Sequence, residues 1–199
     1  MLNIDTLILG AYQTNCYILR QAGSADCVLI DPGDRSQTVA QFLSQQALRP
    51  AAILLTHGHF DHVGAVKPLA QQFACPVYLS KKETALPQTM TAGPLHYTHS
   101  YRNGDTLTLA QLTFTVMETP GHTPGSVCLL VENCMFSGDT LFAGSCGRVD
   151  FPGSSPADMR RSLTRLAAIS QDYTVYPGHG EPTSLHYEQQ NNPYMRGEL

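Results

Sequence analysis

Three histidines and an aspartate fall within one short stretch, His57-Gly58-His59-Phe60-Asp61-His62, directly after the apolar run Ala51-Ala52-Ile53-Leu54-Leu55-Thr56. Imidazole nitrogen and carboxylate oxygen are the donors taken by zinc, iron(II) and manganese. An irregular loop at a strand end lets neighbouring side chains converge on one point, which a regular strand forbids because its side chains alternate between faces. Three more such residues stand in matching settings. They are His122 in Glu118-Thr119-Pro120-Gly121-His122-Thr123-Pro124-Gly125, Asp139 in Phe136-Ser137-Gly138-Asp139-Thr140, and His179 in Val175-Tyr176-Pro177-Gly178-His179-Gly180. Each follows a β-rich apolar stretch and lies beside glycine or proline, as expected where the backbone turns sharply. Together these ligand candidates suffice for two metals.

A lone histidine is more often a surface or hydrogen-bonded residue than a ligand, and His96, His99 and His186 are read that way. The other five do not fit that description, because they sit at strand-end turns and three of them share a loop with an aspartate. Packing alone does not require such a concentration. No Gly-x-Ser-x-Gly elbow is present. Ser126, Ser137 and Ser145 occupy ordinary turn or strand-end settings, so a serine nucleophile has no support.

The elements that must position these residues follow from periodicity. Residues 4–9, 15–19 and 27–30 read as strands, the last closed by Asp31-Pro32-Gly33-Asp34. From Gln37, the apolar residues Val39, Phe42, Leu43 and Ala47 fit a helix; residues 51–55 form a strand, and helical spacing resumes over 63–73. Residues 107–117, 127–131 and 134–136 return to strand character. A helix over 157–169 opens with Ser155-Pro156, a capping residue followed by proline, and Val175-Tyr176 supplies one more strand. The tail from 188, containing Asn191-Asn192-Pro193-Tyr194, reads as a helix end and an extended arm. Periodicity thus gives a mixed α/β chain.

The pattern His57-x-His59-x-Asp61-His62, followed in order by His122, Asp139 and His179, resembles the ligand signature of the metallo-β-lactamase superfamily. Within it, the segment Asp139-Thr140-Leu141-Phe142-Ala143-Gly144-Ser145-Cys146-Gly147-Arg148-Val149-Asp150-Phe151-Pro152-Gly153 resembles the glyoxalase II-like branch, closest to the short bacterial hydroxyacylglutathione hydrolases. The resemblance implies an αββα sandwich, two mixed sheets packed face to face with helices outside. It implies two divalent metal ions, zinc first and iron or manganese as alternatives. His57, His59 and His122 would hold one, Asp61, His62 and His179 the other, and Asp139 would bridge them, with Asp61 and Asp139 as the catalytic carboxylates. The implied reaction is hydrolysis of a hydroxyacyl-thiol thioester such as S-lactoylglutathione by a metal-bridging hydroxide. A thiolate, with a pKa near roughly 8.5, leaves without a dedicated general acid.

Arg148 resembles a recurrent arginine of the glyoxalase II and persulfide dioxygenase branches, here followed by Val149 where threonine is usual. It is expected either to bind substrate or to pair with Asp150. The basic and tyrosine residues with which long glyoxalase II enzymes hold glutathione have no counterpart. Asp139 stands where class B1 β-lactamases carry cysteine, which argues against antibiotic hydrolysis. The alternative activity is that of a mononuclear iron persulfide dioxygenase, which would leave several of these ligands unused. A metal-loaded module of a redox or nucleic-acid-processing pathway would need an additional domain.

At 199 residues with 42% hydrophobic composition, the chain is expected to form a single metallo-β-lactamase-like domain over 1–199. A formal charge of −4 with 12 scattered Lys and Arg residues gives no basic stripe for nucleic acid and no polybasic membrane patch. No stretch approaches the roughly 20 apolar residues that span a bilayer, and Met1-Leu2-Asn3-Ile4-Asp5 lacks a basic leader, so a cytoplasmic enzyme with a small-molecule thioester substrate is expected. The six cysteines are scattered without a Cys-x-x-Cys pair and read as free thiols. Cys146, in the Gly144-Ser145-Cys146-Gly147 loop after Asp139, is the one that could approach the site.

Overall fold

The computed structural model describes residues 1–197. The chain opens with an antiparallel hairpin of β1 (Leu2–Leu9) and β2 (Thr14–Gln21), to which β3 (Asp26–Ile30) adds antiparallel. Helix α1 (Ser36–Gln45) then carries the chain to β4 (Arg49–Leu54), parallel to β3. After the histidine loop come α2 (Phe60–Val63), α3 (Val66–Phe73) and β5 (Val77–Ser80). A 3-10 turn (Lys81–Ala85), α4 (Gln88–Thr91) and β6 (His99–Tyr101) complete this half. The first sheet runs β1-β2-β3-β4-β5-β6 and is mixed.

The second half lays down β7 (Thr106–Leu109), β8 (Leu112–Glu118), β9 (Val127–Val131) and β10 (Cys134–Gly138). A small ribbon of β11 (Leu141–Phe142) and β12 (Ser145–Cys146) precedes α5 (Pro156–Ala167), β13 (Thr174–Pro177), β14 (Thr183–Ser184) and α6 (Leu185–Asn191). The second sheet runs β14-β13-β10-β9-β8-β7 and is also mixed, β10 and β13 being parallel.

The period-two alternation of the strands divides the core into three layers. Tyr17, Leu19, Val28, Ile30 and Leu54 of the first sheet meet Phe114, Val116, Leu129 and Phe136 of the second. The alternate residues Cys16, Ile18, Cys27, Leu29 and Ile53 face outward onto Val39 and Leu43 of α1 and Val66 and Leu69 of α3. On the far side Cys128, Met135 and Val175 pack under Met159, Leu163 and Leu166 of α5. The expected two mixed sheets with helices outside are therefore present. Ser155 caps α5 by accepting the Asp158 N–H at 3.2 Å, with Pro156 in the first turn, as the sequence signal required.

Four expectations need correction. Residues 107–117 are not one strand: Ala110 and Gln111 adopt left-handed φ angles of 49° and 63°, so the run folds back as the β7–β8 hairpin. Helical structure does not run unbroken over 63–73, because α2 ends at Val63 and α3 begins at Val66. Ala47 lies beyond α1 at a φ of 54°. The tail turns back after Asn192 instead of extending, with Arg196 N–H on Asn192 O; residues 198 and 199 lie outside the described residues.

Phe136 is fully buried between the sheets, edge-on to Tyr17 at 5.1 Å and stacked on Tyr176 at 5.1 Å. Phe136→Ala is expected to lower the unfolding free energy by about 3–5 kcal/mol, from lost burial plus the cavity left behind. Urea denaturation checks this; a loss below about 1 kcal/mol would contradict the central placement of this ring.

Candidate metal centre

Parallel pairing fixes where the polar residues emerge. Asp31 follows β3 and the 57–62 loop follows β4, its parallel neighbour; Asp139 follows β10 and His179 follows β13, also neighbours. His122 comes from the loop after β8. The two sheets are stitched at this rim. The Asn15 side-chain amide donates to Pro177 O at 3.0 Å and Gly180 O at 2.9 Å, the Tyr17 hydroxyl donates to Pro177 O at 2.6 Å, and Val127 N–H donates to Thr56 O at 2.9 Å.

Two groups of donors result, His57 with His59 and His122, and Asp61 with His62 and His179, each with its ligand atoms within 4.8 Å of one another. Asp139 stands between them, Oδ1 3.4 Å from His62 Nε2 and Oδ2 3.5 Å from His122 Nε2 and 3.6 Å from His179 Nε2. His179 Nε2 also lies 3.3 Å from Asp61 Oδ2.

The backing groups decide which way the imidazole lone pairs point. His122 Nδ1 donates to Arg148 O at 2.8 Å and His179 Nδ1 to Tyr12 O at 3.0 Å. His62 Nδ1 donates to Asp31 Oδ2 at 3.0 Å. The Thr56 hydroxyl gives its proton to Asp31 Oδ2 at 2.5 Å, so at 3.1 Å from His57 Nδ1 it accepts. In the neutral form of these four rings Nε2 is left as the acceptor, and it faces the centre. His59 presents Nδ1, 2.8 Å from His122 Nε2, and His62 Nε2 faces His179 Nε2 at 3.4 Å. Ligand atoms converge on ligand atoms, and among the described residues the buried His57 Nε2, His59 Nε2 and Asp139 Oδ1 have no hydrogen-bond partner. Buried polar atoms are rarely left so. A divalent cation at the centre would give His57 Nε2 and Asp139 Oδ1 the partner they lack, so the donor set fits the metals its chemistry calls for.

Asp31 also lies within ligand distance of His57 and His62. Its oxygens are already committed to Thr56 N–H at 2.8 Å, the Thr56 hydroxyl and His62 Nδ1, so it orients ligands and is not one itself.

The electrostatics differ between the two groups. Burial, reinforced by the neighbouring imidazoles, holds His57 well below the ordinary histidine value and His59 down to about 4. Burial also opposes charge on His62 and His179, but carboxylates outweigh it: Asp139 and Asp31 for His62, Asp61 and Asp139 for His179, and both are raised. Asp61 and Asp139 are held below the carboxylate range by His62 and His179 despite their burial.

Glu83, which nothing in the polar stretch Lys81-Lys82-Glu83 marks out, ties two of the ligand loops together. Fully buried, it accepts Gly58 N–H on Oε2 and Gly125 N–H on Oε1, both at 2.6 Å. Burial pushes its carboxyl up to about 7, although the Thr123 hydroxyl and the two N–H groups pull the other way. Close approach also explains two glycines: a Cβ on Gly178 would sit 2.2 Å from Asp139 Oδ1, and one on Gly33 would sit 1.6 Å from Asp61 O.

Outside the ligands, Tyr12, Phe60, Met90, Phe142 and Phe151 wall an open cavity of about 560 Å³. Sequence reading missed these, as it missed Asp31, Thr56 and Glu83. Arg148 lines the same cavity, with Nε and Nη2 each 2.7 Å from Asp150 and its guanidinium 3.9 Å over Phe151. Cys146 does reach the cavity while packing on the α5 core, and burial raises its thiol to about 11, so it is protonated at neutral pH. All six cysteines are free. His96, His99 and His186 stand outside the donor groups; His99 stacks on Tyr78 and His186 bonds Ser170 O.

A family model described as the metallo-beta-lactamase superfamily matches residues 9–179. The chain belongs to the metallo-β-lactamase superfamily. It is 40% identical to a hydroxyacylglutathione hydrolase of Nitrosomonas eutropha over 88% of this chain and 65% of that one. It is 30% identical to hydroxyacylglutathione hydrolase GloC of Haemophilus influenzae over 98% of both. Among solved structures, TTHA1623 in a di-iron-bound form superposes with a TM-score of 0.85 at 37% identity, covering 96% of this chain and 99% of that one. BLEG-1 B3 metallo-beta-lactamase superposes at 0.87 and 34%, covering 99% and 100%, and ETHE1 of Myxococcus xanthus at 0.83 and 28%, covering 96% and 83%. The chain is thus an enzyme of the metal-dependent hydrolase kind, with histidine and aspartate groups suited to divalent ions. No helix among the described residues is long and apolar enough to cross a membrane.

If Glu83 holds the first group in shape, Glu83→Gln should weaken metal binding about 10–100-fold, because an amide can accept only one of the two N–H bonds. Competition with a chromophoric chelator measures this on protein whose circular dichroism matches the parent. Affinity within about twofold of the parent would show that the clamp is not needed.

Proposed function

We propose that this enzyme hydrolyses hydroxyacyl-thiol thioesters such as S-lactoylglutathione at a dinuclear centre, with His57, His59 and His122 holding one metal, Asp61, His62 and His179 the other, and Asp139 between them. The observation that carries the reading is the convergence of imidazole nitrogens and two carboxylates in two adjoining groups, with His57 Nε2 and Asp139 Oδ1 buried and unpartnered. A mononuclear centre would leave the second group without purpose. The hydroxyacylglutathione hydrolases among the relatives support the substrate class.

Two divalent ions in these groups would lower the pKa of a shared water towards neutrality and polarise the thioester carbonyl. The protein residues supply the rest. Asp31 and Thr56 lock His57 and His62 in the tautomers that present Nε2, and the Thr14 hydroxyl, 3.2 Å from Asp61 Oδ2, fixes that carboxylate. The aromatic walls give the arm of the substrate an apolar surface beside the ligand groups. Water adds its oxygen to the acyl carbon, the carbon–sulfur bond breaks, and a carboxylate and a thiol are the products. The sulfur departs as a thiolate without an acid beside it and then takes up one of the water's two protons, the other going to solvent.

The likeness to ETHE1 favours one second reading, an iron persulfide dioxygenase. The two are separated by assaying S-lactoylglutathione hydrolysis and oxygen uptake with glutathione persulfide on one preparation of known metal content. Thioester turnover with about two metals per chain and no oxygen uptake is expected. About one iron per chain with oxygen consumption and no thioester cleavage would overturn the proposal.

Acid should empty the two groups in order. His62 and His179 have raised pKa values, so protons compete with metal there already near neutrality, whereas His59, lowered to about 4, and His57 resist protonation much further. Metal content after gel filtration is expected to fall from about two to about one per chain between roughly pH 7 and pH 5.5, the remaining ion leaving only below about pH 5. Simultaneous loss of both would refute this order.

A further inference from the structure

The stretch Asn191-Asn192-Pro193-Tyr194 has no part in the chemistry described so far, but it meets the cavity wall from behind. Glu188 of α6 and Asn192 at the end of that helix are both fully buried. The Glu188 carboxylate accepts the Gly144 N–H and the Asn192 side-chain amide on Oε2, both at 2.8 Å, and the Thr183 hydroxyl on Oε1 at 2.7 Å. Tyr194 N–H donates to Asn192 Oδ1 at 3.0 Å, which fixes the amide so that Nδ2 is turned to Ser145 O at 3.0 Å and towards Phe142 O at 3.4 Å. Two side chains from the end of the chain thus grip the turn Phe142-Ala143-Gly144-Ser145 by its own backbone.

The ribbon they grip is too small to hold itself. Strands β11 and β12 form a sheet of their own in which Leu141 pairs with Cys146 and Phe142 with Ser145. A hairpin of that size has no independent stability in water. Leu141 roots the ribbon in the core under α5, whereas its tip faces the cavity with Phe142, Ser145 and Cys146. The Phe142 ring stands edge-on to the His179 ring at 6.3 Å, so the tip walls the cavity beside the second ligand group.

The Asp139 end of this segment is anchored separately. The Ser137 hydroxyl donates to Leu141 O at 2.7 Å, and the Thr119 and Thr140 hydroxyls bond each other at 2.9 Å. Freeing the tip therefore shifts a cavity wall and leaves the ligand where it is. Burying the Glu188 carboxylate costs hydration that its three donors must return. Apolar side chains would fill the space without that cost, as Leu185 and Met195 do nearby, but a fully satisfied polar network fixes one position for what it holds.

Resting for its substrate side on the thioester reading above, we propose that Glu188 and Asn192 are positioning residues, which hold the β11–β12 ribbon so that Phe142 and Ser145 form the wall on which the substrate lies. Neither touches a reacting atom.

The test uses the metal-loaded full chain and two variants, Asn192→Ala and Glu188→Gln, the second keeping the side-chain shape should the first fail to fold. Hydrogen exchange read by mass spectrometry is expected to run about tenfold faster over residues 141–147 in Asn192→Ala, with β9 and β10 unchanged, the scale of lost buried hydrogen bonds. The KM for S-lactoylglutathione should rise about tenfold, with kcat moving less than about threefold and metal content unchanged; Glu188→Gln should shift both readouts in the same direction. Exchange over 141–147 unmoved in the folded variants overturns the inference, as does a KM within about twofold of the parent. Faster exchange across the whole chain would mark a general loss of stability and overturn the positioning role. A parent enzyme that cleaves no thioester with its metals bound sinks the thioesterase reading, while the exchange measurement still decides whether the network holds the ribbon.

Discussion

Imidazole nitrogens and carboxylate oxygens meet at one buried point, and holding them there is the constraint around which the rest of this structure is arranged. His59 Nδ1 and His122 Nε2 are 2.8 Å apart and His62 Nε2 and His179 Nε2 3.4 Å apart, with Asp139 between. Left free, each ring would rotate to find a donor or turn to water. Each is prevented by a bond on its other side or by enclosure: Thr56 behind His57, Asp31 behind His62, Arg148 O behind His122 and Tyr12 O behind His179. His59 has no such bond on Nε2 and is enclosed, edge-on to His122 at 4.5 Å and to Phe151 at 5.7 Å. Rings held in this way need little reorientation to take a cation, so the orientation of the ligands is built into the fold.

The sandwich serves this arrangement because only a rigid frame can keep five loops in register. Parallel neighbours put the ends of β3 and β4 at one rim and the ends of β10 and β13 at the same rim of the opposing sheet. The Asn15 and Tyr17 side chains of β2 then hold the His179 loop across the gap between the sheets, and Glu83 holds the 57–62 loop to the loop carrying His122. The fully buried inter-sheet core leaves these rims little freedom to splay. Where backbone must come closer than a side chain allows, glycine stands, as at Gly33 against Asp61 and at Gly178 against Asp139.

Much of this was legible in the sequence because metal ligation needs particular atoms. Only imidazole and carboxylate side chains supply these donors, and only turns let them converge, so His57, His59, Asp61, His62, His122, Asp139 and His179 could be picked out by type and setting alone. The three-layer core was legible in part, since alternating strands such as β2 and the amphipathic α5 declare a buried face. What failed to show was whatever depends on a neighbour distant in sequence. Asp31 carries the same strand-end signature as the ligands, but its role behind His62 depends on a contact across 31 residues. Glu83 looks like any charged residue in a polar turn until the fold buries it. Strand β6, with His99 and Ser100 exposed, has no alternation to read, and the β7–β8 turn is made by Ala110 and Gln111, residues that seldom adopt left-handed backbone.

The same distinction separates the metal-ligating half of the site from the half that lines its cavity. Ligands are constrained by the metal and admit few alternatives, whereas a cavity wall needs only shape and polarity, which many residues provide. Arg148 illustrates the difference. Its identity in sequence is compatible both with reading a carboxylate and with pairing locally, and the choice rests on where the Asp150 side chain lies, which a two-residue spacing in a loop leaves open. In the folded chain its Nε and Nη2 pair with Asp150 within the loop and one face lies over Phe151. The ligands are therefore groups the sequence declares, whereas the pairing of Arg148 is a contact that only the folded loop creates.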